Sequence, residues 1–193
     1  MNRICFLLLI FSNIALAQEP LGKCPKGVFY NWKVETKYAE SWDKKYLAIG
    51  DIDGINQYHK SKEDFINTGK IKRATGPSTD LYLSDTGNLL VLGESFTDTQ
   101  SDKIEIYNKD GELIYTISGE DVLSSKELES AREKYESTDW CTPEKPWICW
   151  DEAIFQADNS LYLNDVLGRN IVININNGNV KISNEKKQCK MFL

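Results

Sequence analysis

Two pairs of neighbouring carboxylates are the candidates for acid–base chemistry in this sequence of 193 residues. Asp51 and Asp53 stand in GDIDG, and Asp151 and Glu152 stand in WDEA. General acid–base catalysis needs such groups in a pocket that shifts their pKa values. GDIDG is more simply a hairpin turn between YLAIG and INQYHK, and WDEA stands where a strand begins. The enzymatic alternative is a hydrolase of cell-envelope carbohydrate that acts through Asp151 or Glu152.

No segment of the sequence matches a known metal-binding or cofactor-binding motif in full. DIDGINQYHKSK begins like a calcium loop, but Ile55 and Lys62 stand where that loop would need an oxygen ligand and its closing glutamate. His59 is the single histidine, and the sequence has neither a Gly-x-Ser-x-Gly elbow nor a glycine-rich phosphate loop. We therefore expect no catalytic residue, no bound metal and no cofactor.

The first seventeen residues have the pattern of a cleaved export signal. MNRICFLLLIFSNIALA combines Arg3, an apolar run and a small-x-small end at Ala15–Ala17. Ser12 and Asn13 interrupt the run, which is shorter than the roughly 20 apolar residues of a transmembrane helix. We expect removal of residues 1–17 and a single β-rich domain over residues 18–193, in the periplasm or secreted, without a membrane span.

The cysteines beyond this segment predict disulfides, because an exported chain with an even number of cysteines is oxidised in pairs. They are Cys24, Cys141, Cys149 and Cys189. Four cysteines allow three pairings, of which we favour Cys141 with Cys149 and Cys24 with Cys189. Seven residues separate Cys141 from Cys149, which fits neither a zinc pair nor a redox-active Cys-x-x-Cys pair.

Three tryptophans surround the loop between Cys141 and Cys149. They are Trp140, Trp147 and Trp150. Tryptophan is enriched at the energetic centres of interfaces, and a loop held by proline and a disulfide loses little entropy on binding. The sequence therefore predicts these three residues as the partner-binding surface. The alternative is that one or two of the rings cover the disulfide and plug the end of a sheet.

The elements that must position these groups are mostly short strands. From Val28 onward, alternating apolar runs predict antiparallel strands, and SDTGN, NKDGE and NNGN predict three hairpin turns. SSKELESAREKYES predicts a surface helix, because Ser124 and Glu127 have the spacing of a capping box. A second helical turn is predicted at SKEDFIN, ending near Gly69.

One longer unit carries a resemblance. DLYLSDTGNLLVLGESFTDTQSDKIEIYNKDGELIYTIS runs through strand, Asp/Gly turn, strand, polar loop and a strand with YNKDGELI, and it resembles one blade of bacterial exported β-propeller-like proteins. AIFQADNSLYLNDVLGRNIVININNGNVK is similar to a second such unit. The resemblance covers residues 80–183 and implies no catalytic residue. A propeller needs at least about four blades of about forty residues. The predicted fold is all-β, with strand-turn-strand units forming an incomplete propeller or a compact β-sandwich and one surface helix.

The predicted function is that of an exported, non-catalytic module that binds another protein. The formal net charge of −6 disfavours nucleic acid and suits a basic partner, although it also serves solubility. A narrower alternative is an immunity-type protein that neutralises a periplasmic toxin or enzyme, because the chain is small, acidic and carries an export signal. The sequence leaves the oligomeric state open.

Overall fold

The described part of the chain folds into three successive four-stranded antiparallel sheets, which we name blades A, B and C. The computed structural model describes residues 36–76, 79–93, 103–136 and 147–186. Blade A consists of β1 (Lys37–Glu40), β2 (Tyr46–Asp51), β3 (Gly54–Ser61) and β4 (Asp64–Ile71). Blade B consists of β5 (Asp80–Leu83), β6 (Leu89–Leu92), β7 (Ile104–Tyr107) and β8 (Leu113–Ile117). Blade C consists of β9 (Ile148–Phe155), β10 (Ser160–Asp165), β11 (Arg169–Asn174) and β12 (Val180–Lys186). In every blade the strands pair in the order of the sequence.

The hairpin turns follow the predicted turn chemistry. SDTGN joins β5 to β6, NKDGE joins β7 to β8, and NNGN joins β11 to β12, so the three predicted hairpins are confirmed. Gly87 and Gly111 have φ angles of 85° and 82°, which glycine adopts without steric strain. GDIDG is also a turn, in which the Asp51 carboxylate accepts the backbone N–H of Asp53 at 2.8 Å.

The prediction of a helical turn at SKEDFIN is wrong. Lys62 takes a φ of 59°, and the chain then runs back as β4 with Lys60 opposite Phe65 and Ser61 opposite Asp64. A single helical turn must fix several backbone angles for one hydrogen bond. Pairing with β3 instead satisfies the backbone along the whole length of β4, so the hairpin forms.

Two helices lie between blades B and C: α1 (Gly119–Val122) and α2 (Ser125–Glu136). The predicted capping box of α2 is confirmed, because the Ser124 N–H donates to Glu127 Oε2 at 2.8 Å and the Glu127 N–H donates to Ser124 Oγ at 3.4 Å. Ser118 and Asp121 make the corresponding contacts at α1, which the sequence analysis did not predict. Among the described residues, no helix is long and apolar enough to cross a membrane.

Blade B lies between the other two blades, and β6 shows why. Its four residues are all buried: Leu89 and Val91 face a core shared with blade A, whereas Leu90 and Leu92 face a core shared with blade C and both helices. A strand with both faces covered is apolar at every position. Three sheets packed face to face form an incomplete propeller and not a two-layer sandwich, so the all-β prediction is confirmed in its propeller form.

Candidate functional site

The three blades are joined at their first hairpin turns. The Asp43 N–H, in the β1–β2 turn, donates to Asp85 Oδ1 in the β5–β6 turn at 2.9 Å. The Asp85 N–H in turn donates to Asn159 Oδ1 in the β9–β10 turn, also at 2.9 Å. Each link joins a backbone group to a short side chain of the next blade. The turns are therefore held in one fixed arrangement at this end of the molecule.

One aromatic side chain from each blade gathers beside these turns. The Trp42 and Phe155 ring centroids are 6.2 Å apart, and those of Tyr82 and Phe155 are 5.9 Å apart. We call Trp42, Tyr82 and Phe155 the aromatic cluster. Tyr82 and Phe155 also pack against the core between blades B and C, while Trp42 is 53% exposed. The Trp42 ring is therefore exposed to solvent, while the two rings beneath it are held in place by their contacts with the core.

An ion pair flanks the exposed ring. The Asp43 carboxylate accepts hydrogen bonds from the Ser41 hydroxyl at 2.8 Å and the Lys45 backbone N–H at 3.1 Å, and it lies 2.7 Å from Lys45 Nζ. Burial acts to raise the pKa of Asp43, but these donors and the Lys45 charge outweigh burial and lower the pKa to about 2. Asp43 therefore carries a negative charge throughout the physiological range.

Tyr82 is held neutral in the same region. Burial and the nearby Asp80 charge raise the pKa of the Tyr82 phenol to about 12. Burial also raises the pKa of the Asp80 carboxyl, although the Lys37 charge opposes this effect. The aromatic cluster can bind a ligand through its ring faces, the Tyr82 phenol can donate a hydrogen bond, and the Asp43 carboxylate can accept one. The shifted pKa values keep Asp43 ionised and Tyr82 protonated near neutral pH, which suits a binding role for these two side chains.

The other predicted chemical groups lie apart from this cluster or outside what is described. Asp51 and Asp53 form the β2–β3 turn, and the His59 ring lies tilted against the Tyr46 ring in blade A with centroids 4.9 Å apart. Asp151 and Glu152 belong to β9, and the hydrolase hypothesis for them is untested. Within the described ranges, no three His, Cys, Asp or Glu side chains lie close enough together to hold a metal ion.

Trp147 lies in the core and not at the surface that the sequence analysis predicted for it. Its side chain is 1% exposed and belongs to the core between blades B and C. A Cβ atom added to Gly119 would come within 3.0 Å of the Trp147 ring and 2.9 Å of Leu128, so the indole packs beneath both helices. This placement fits the core-packing alternative for Trp147.

The remaining residues of the predicted loop are not tested. Trp150 belongs to β9, and Trp140 lies outside the described residues, so their role in partner binding stays a prediction. Cys149 is 3% exposed, opposite Asn164 of β10. Cys24, Cys141 and Cys189 lie outside the described ranges, so both disulfide pairings also stay predictions.

The aromatic cluster was not predicted from the sequence, although a repeated turn pattern could have indicated where the Trp42 turn lies. The turns SWDKK, SDTGN and QADNS have the same backbone form, in which the fourth residue donates its N–H to the first carbonyl. That fourth residue has a positive φ in all three, namely 59° at Lys44, 85° at Gly87 and 62° at Asn159. Alignment of these turns would place the Trp42 turn beside the other two in a propeller.

Comparisons with known proteins add the following findings. No protein family and no curated protein matches the sequence. Hsv2 from Kluyveromyces lactis is similar in structure at 7% identity, with a TM-score of 0.43, over 79% of this chain and 37% of that one. A Bacteroides thetaiotaomicron protein of unknown function is similar at 12% identity and a TM-score of 0.39, over 77% and 35% of the two chains. AztD from Citrobacter koseri is similar at 11% identity and a TM-score of 0.27, over 78% and 48%. The chain thus spans less than half the length of each of these proteins.

Proposed function

We propose that the protein is an exported, non-catalytic module that binds another protein, and that the aromatic cluster is its main contact surface. The observation that carries the proposal is Trp42, which is 53% exposed although its turn is tied to the other blades. A large ring on a fixed backbone gives contact area and loses little conformational entropy when a partner binds.

The overall charge of the chain supports a basic partner. Asp43 is paired with Lys45 beside the cluster, but the whole chain has a formal net charge of −6. Complementary charge speeds association and selects between partners more than it adds affinity. A narrower form of the proposal is an immunity-type protein whose target is a basic toxin or enzyme of the periplasm.

Export and disulfide formation are also part of the proposal, and the sequence supports both. Residues 1–17 have the pattern of a signal peptide, and an oxidising compartment would allow Cys141 to pair with Cys149 and Cys24 with Cys189. Mass spectrometry of the protein purified from the periplasm tests both points. A chain that still begins at Met1, or that has four free thiols, would contradict this part of the proposal.

A pair of substitutions tests the contact surface. Trp42→Ala removes the exposed ring, and Ile52→Ala removes a side chain that is 57% exposed at the β2–β3 turn of the same blade. The wild-type chain is used to capture a partner from envelope extract, and the purified partner is then titrated against each variant. We expect Trp42→Ala to weaken binding by about tenfold or more, as at an interface hot spot, and Ile52→Ala to leave it unchanged.

The outcome that contradicts the contact surface is a folded Trp42→Ala variant with wild-type affinity. Circular dichroism of both variants establishes that the fold is kept. Trp150→Ala in the same titration measures whether the second predicted tryptophan surface contributes to binding.

A further inference from the structure

The turn between β11 and β12 contains the single Asn-Gly sequence of the chain, Asn177–Gly178. Asparagine is a chemically labile residue, and it is most labile before glycine, because no Cβ atom hinders the approach of the glycine backbone nitrogen to the asparagine Cγ. The Asn177 side chain is exposed. Water can therefore reach the amide at a position where both reacting groups are present.

The reaction at this position needs no reagent besides water. The Gly178 nitrogen forms a bond to Asn177 Cγ, the bond from Cγ to Nδ2 breaks, and the amide leaves as ammonia with the proton that the Gly178 N–H gives up. Water then opens the cyclic imide. Attack at Cγ gives aspartate, whereas attack at the main-chain carbonyl gives isoaspartate, whose backbone runs through the side chain and is longer by a carbon atom. Both products add a negative charge.

In the folded chain, hydrogen bonds hold both reacting groups. The Gly178 N–H donates to the Asn174 carbonyl at 2.9 Å, and Asn177 Oδ1 accepts the Asn179 N–H at 3.0 Å. The first bond must break before the nitrogen can lose its proton, and the second bond limits the rotation of the Asn177 side chain. The rate of ring closure therefore depends on how often the turn opens.

Contacts with blade B keep this turn closed. A Cβ atom added to Gly178 would lie 2.6 Å from the Tyr115 ring of β8, so the ring packs directly on the glycine. Thr86 Oγ1, in the β5–β6 turn, donates to Asn176 Oδ1 at 2.6 Å. Opening of the β11–β12 turn therefore requires the loss of contacts between blades B and C.

We propose that Asn177 is a site of spontaneous deamidation and that the junction between blades B and C controls its rate. The closed turn slows the reaction, and the loss of the Tyr115 or Thr86 contact speeds it. Isoaspartate in turn loosens the junction, because the longer backbone shifts Gly178 relative to the Tyr115 ring and the Asn174 carbonyl. The modification thus depends on this junction and also changes it.

Incubation of the purified full chain at mildly alkaline pH, with and without urea, tests the reaction. Peptide mass spectrometry after chromatography detects the exchange of ammonia for water and resolves aspartate from isoaspartate. Asn67 is the internal control, because it is also exposed but is followed by Thr68. We expect slow conversion of Asn177 in the folded chain, faster conversion in urea and little at Asn67. No conversion of Asn177 in urea, or equal rates in both conditions, overturns the proposal.

Three variants test the control by blade B. Tyr115→Ala removes the ring on Gly178, Thr86→Val removes the bond to Asn176, and Ile114→Ala changes the neighbouring position on the opposite face of β8. We expect Thr86→Val to speed the reaction of the folded chain by about fivefold, as for an opening equilibrium that has lost one hydrogen bond, and Tyr115→Ala by at least as much. Ile114→Ala should keep the wild-type rate, and all three should match the wild type in urea. A wild-type rate for folded Tyr115→Ala or folded Thr86→Val overturns this control.

Asn177→Asp separates the effect of the charge from that of the longer backbone. This variant carries the same added charge as the modified chain but keeps the normal backbone. We expect its midpoint of urea denaturation to lie close to that of the wild type, and the isoaspartate form isolated from the incubated wild type to have a lower midpoint. Equal midpoints for the isoaspartate form and the unmodified chain would contradict the loosening of the junction. These outcomes do not depend on partner binding at the aromatic cluster.

Discussion

Asp43 is the residue on which the geometry of the exposed ring depends most directly. Its carboxylate binds the Ser41 hydroxyl and the Lys45 backbone and ammonium, and its backbone N–H binds Asp85. The pKa is lowered from 3.8 to about 2 in the fold. Because a lowered pKa means that the folded state favours the ionised form, this stabilisation is complete above pH 4. It is lost as the pH falls through about 2.

We predict that Asp43→Asn lowers the free energy of unfolding by about 1 kcal/mol near neutral pH, as expected for the loss of charge-assisted hydrogen bonds at a partly exposed site. The difference from the wild type should shrink between pH 4 and pH 2. Urea denaturation over this pH range measures it, with Asp64→Asn, an exposed carboxylate at the start of β4, as the matched control. A difference that stays constant down to pH 2 would contradict the assignment to ionised Asp43.

At the scale of residues, local chemistry was predictable and tertiary position was not. The Ser124–Glu127 capping box and the Asp51 turn follow from neighbours within a few positions, and both are confirmed. Trp42 and Trp147 have the same side chain, but one is 53% exposed and the other 1% exposed. That difference arises from Gly119 and Leu128, which follow a separate strand and meet Trp147 only in the folded chain.

At the scale of elements, Arg169 connects α2 to blade C. Its Nε donates to Asp165 Oδ2 at 2.6 Å, and its Nη1 donates to Glu127 Oε1 at 3.2 Å. Asp165 has no exposed surface, whereas the Glu127 side chain is 36% exposed. Glu127 therefore has two roles, as the capping residue of α2 and as the outer partner of Arg169.

We predict that three substitutions separate these roles. Arg169→Met should cost about 3 kcal/mol, because it leaves a buried carboxylate without its cation. Glu127→Ala should cost about 1 kcal/mol through the lost cap. Glu127→Gln should cost less than about 0.5 kcal/mol, because glutamine still fits a capping box and the lost ion pair is partly exposed. Urea denaturation of the three variants gives the order, and equal losses for Arg169→Met and Glu127→Gln would contradict it.

The elements themselves were largely predictable, with one informative error. NLLVLGES was predicted as a strand, and the unbroken run of apolar residues in β6 reflects its position between two cores. SKEDFIN was predicted as a short helical turn that ends near Gly69. Its real structure depends on β3, whose residues pair with β4 along its length. A hairpin partner overrides weak helical propensity in so short a segment.

At the scale of the whole molecule, the sequence could not show how the blades meet. Residues 80–183 resemble propeller units, but the unit that begins at Lys37 carries no equally regular signal. The contact between Asp43 and Asp85 and that between Asp85 and Asn159 join residues 42 and 74 positions apart. Such pairs leave no periodic pattern in a single sequence. Trp42, Tyr82 and Phe155 stand at different positions relative to the repeated turns, so their cluster, with one ring from each blade, became visible only in the fold.

Trp147 and Trp42 therefore allow the stability of the molecule to be separated from its binding. Trp147→Ala empties part of the core that joins blades B and C to the helices, and we predict a loss of about 3 to 5 kcal/mol in the free energy of unfolding. Below its unfolding transition, this variant should keep wild-type affinity for the captured partner. Trp42→Ala should do the reverse, with stability within about 0.5 kcal/mol of the wild type and weakened binding. Thermal unfolding and partner titration at one low temperature measure both properties. If folded Trp147→Ala lost as much affinity as Trp42→Ala, the result would contradict this prediction. It would favour the loop between Cys141 and Cys149, and not the aromatic cluster, as the contact surface.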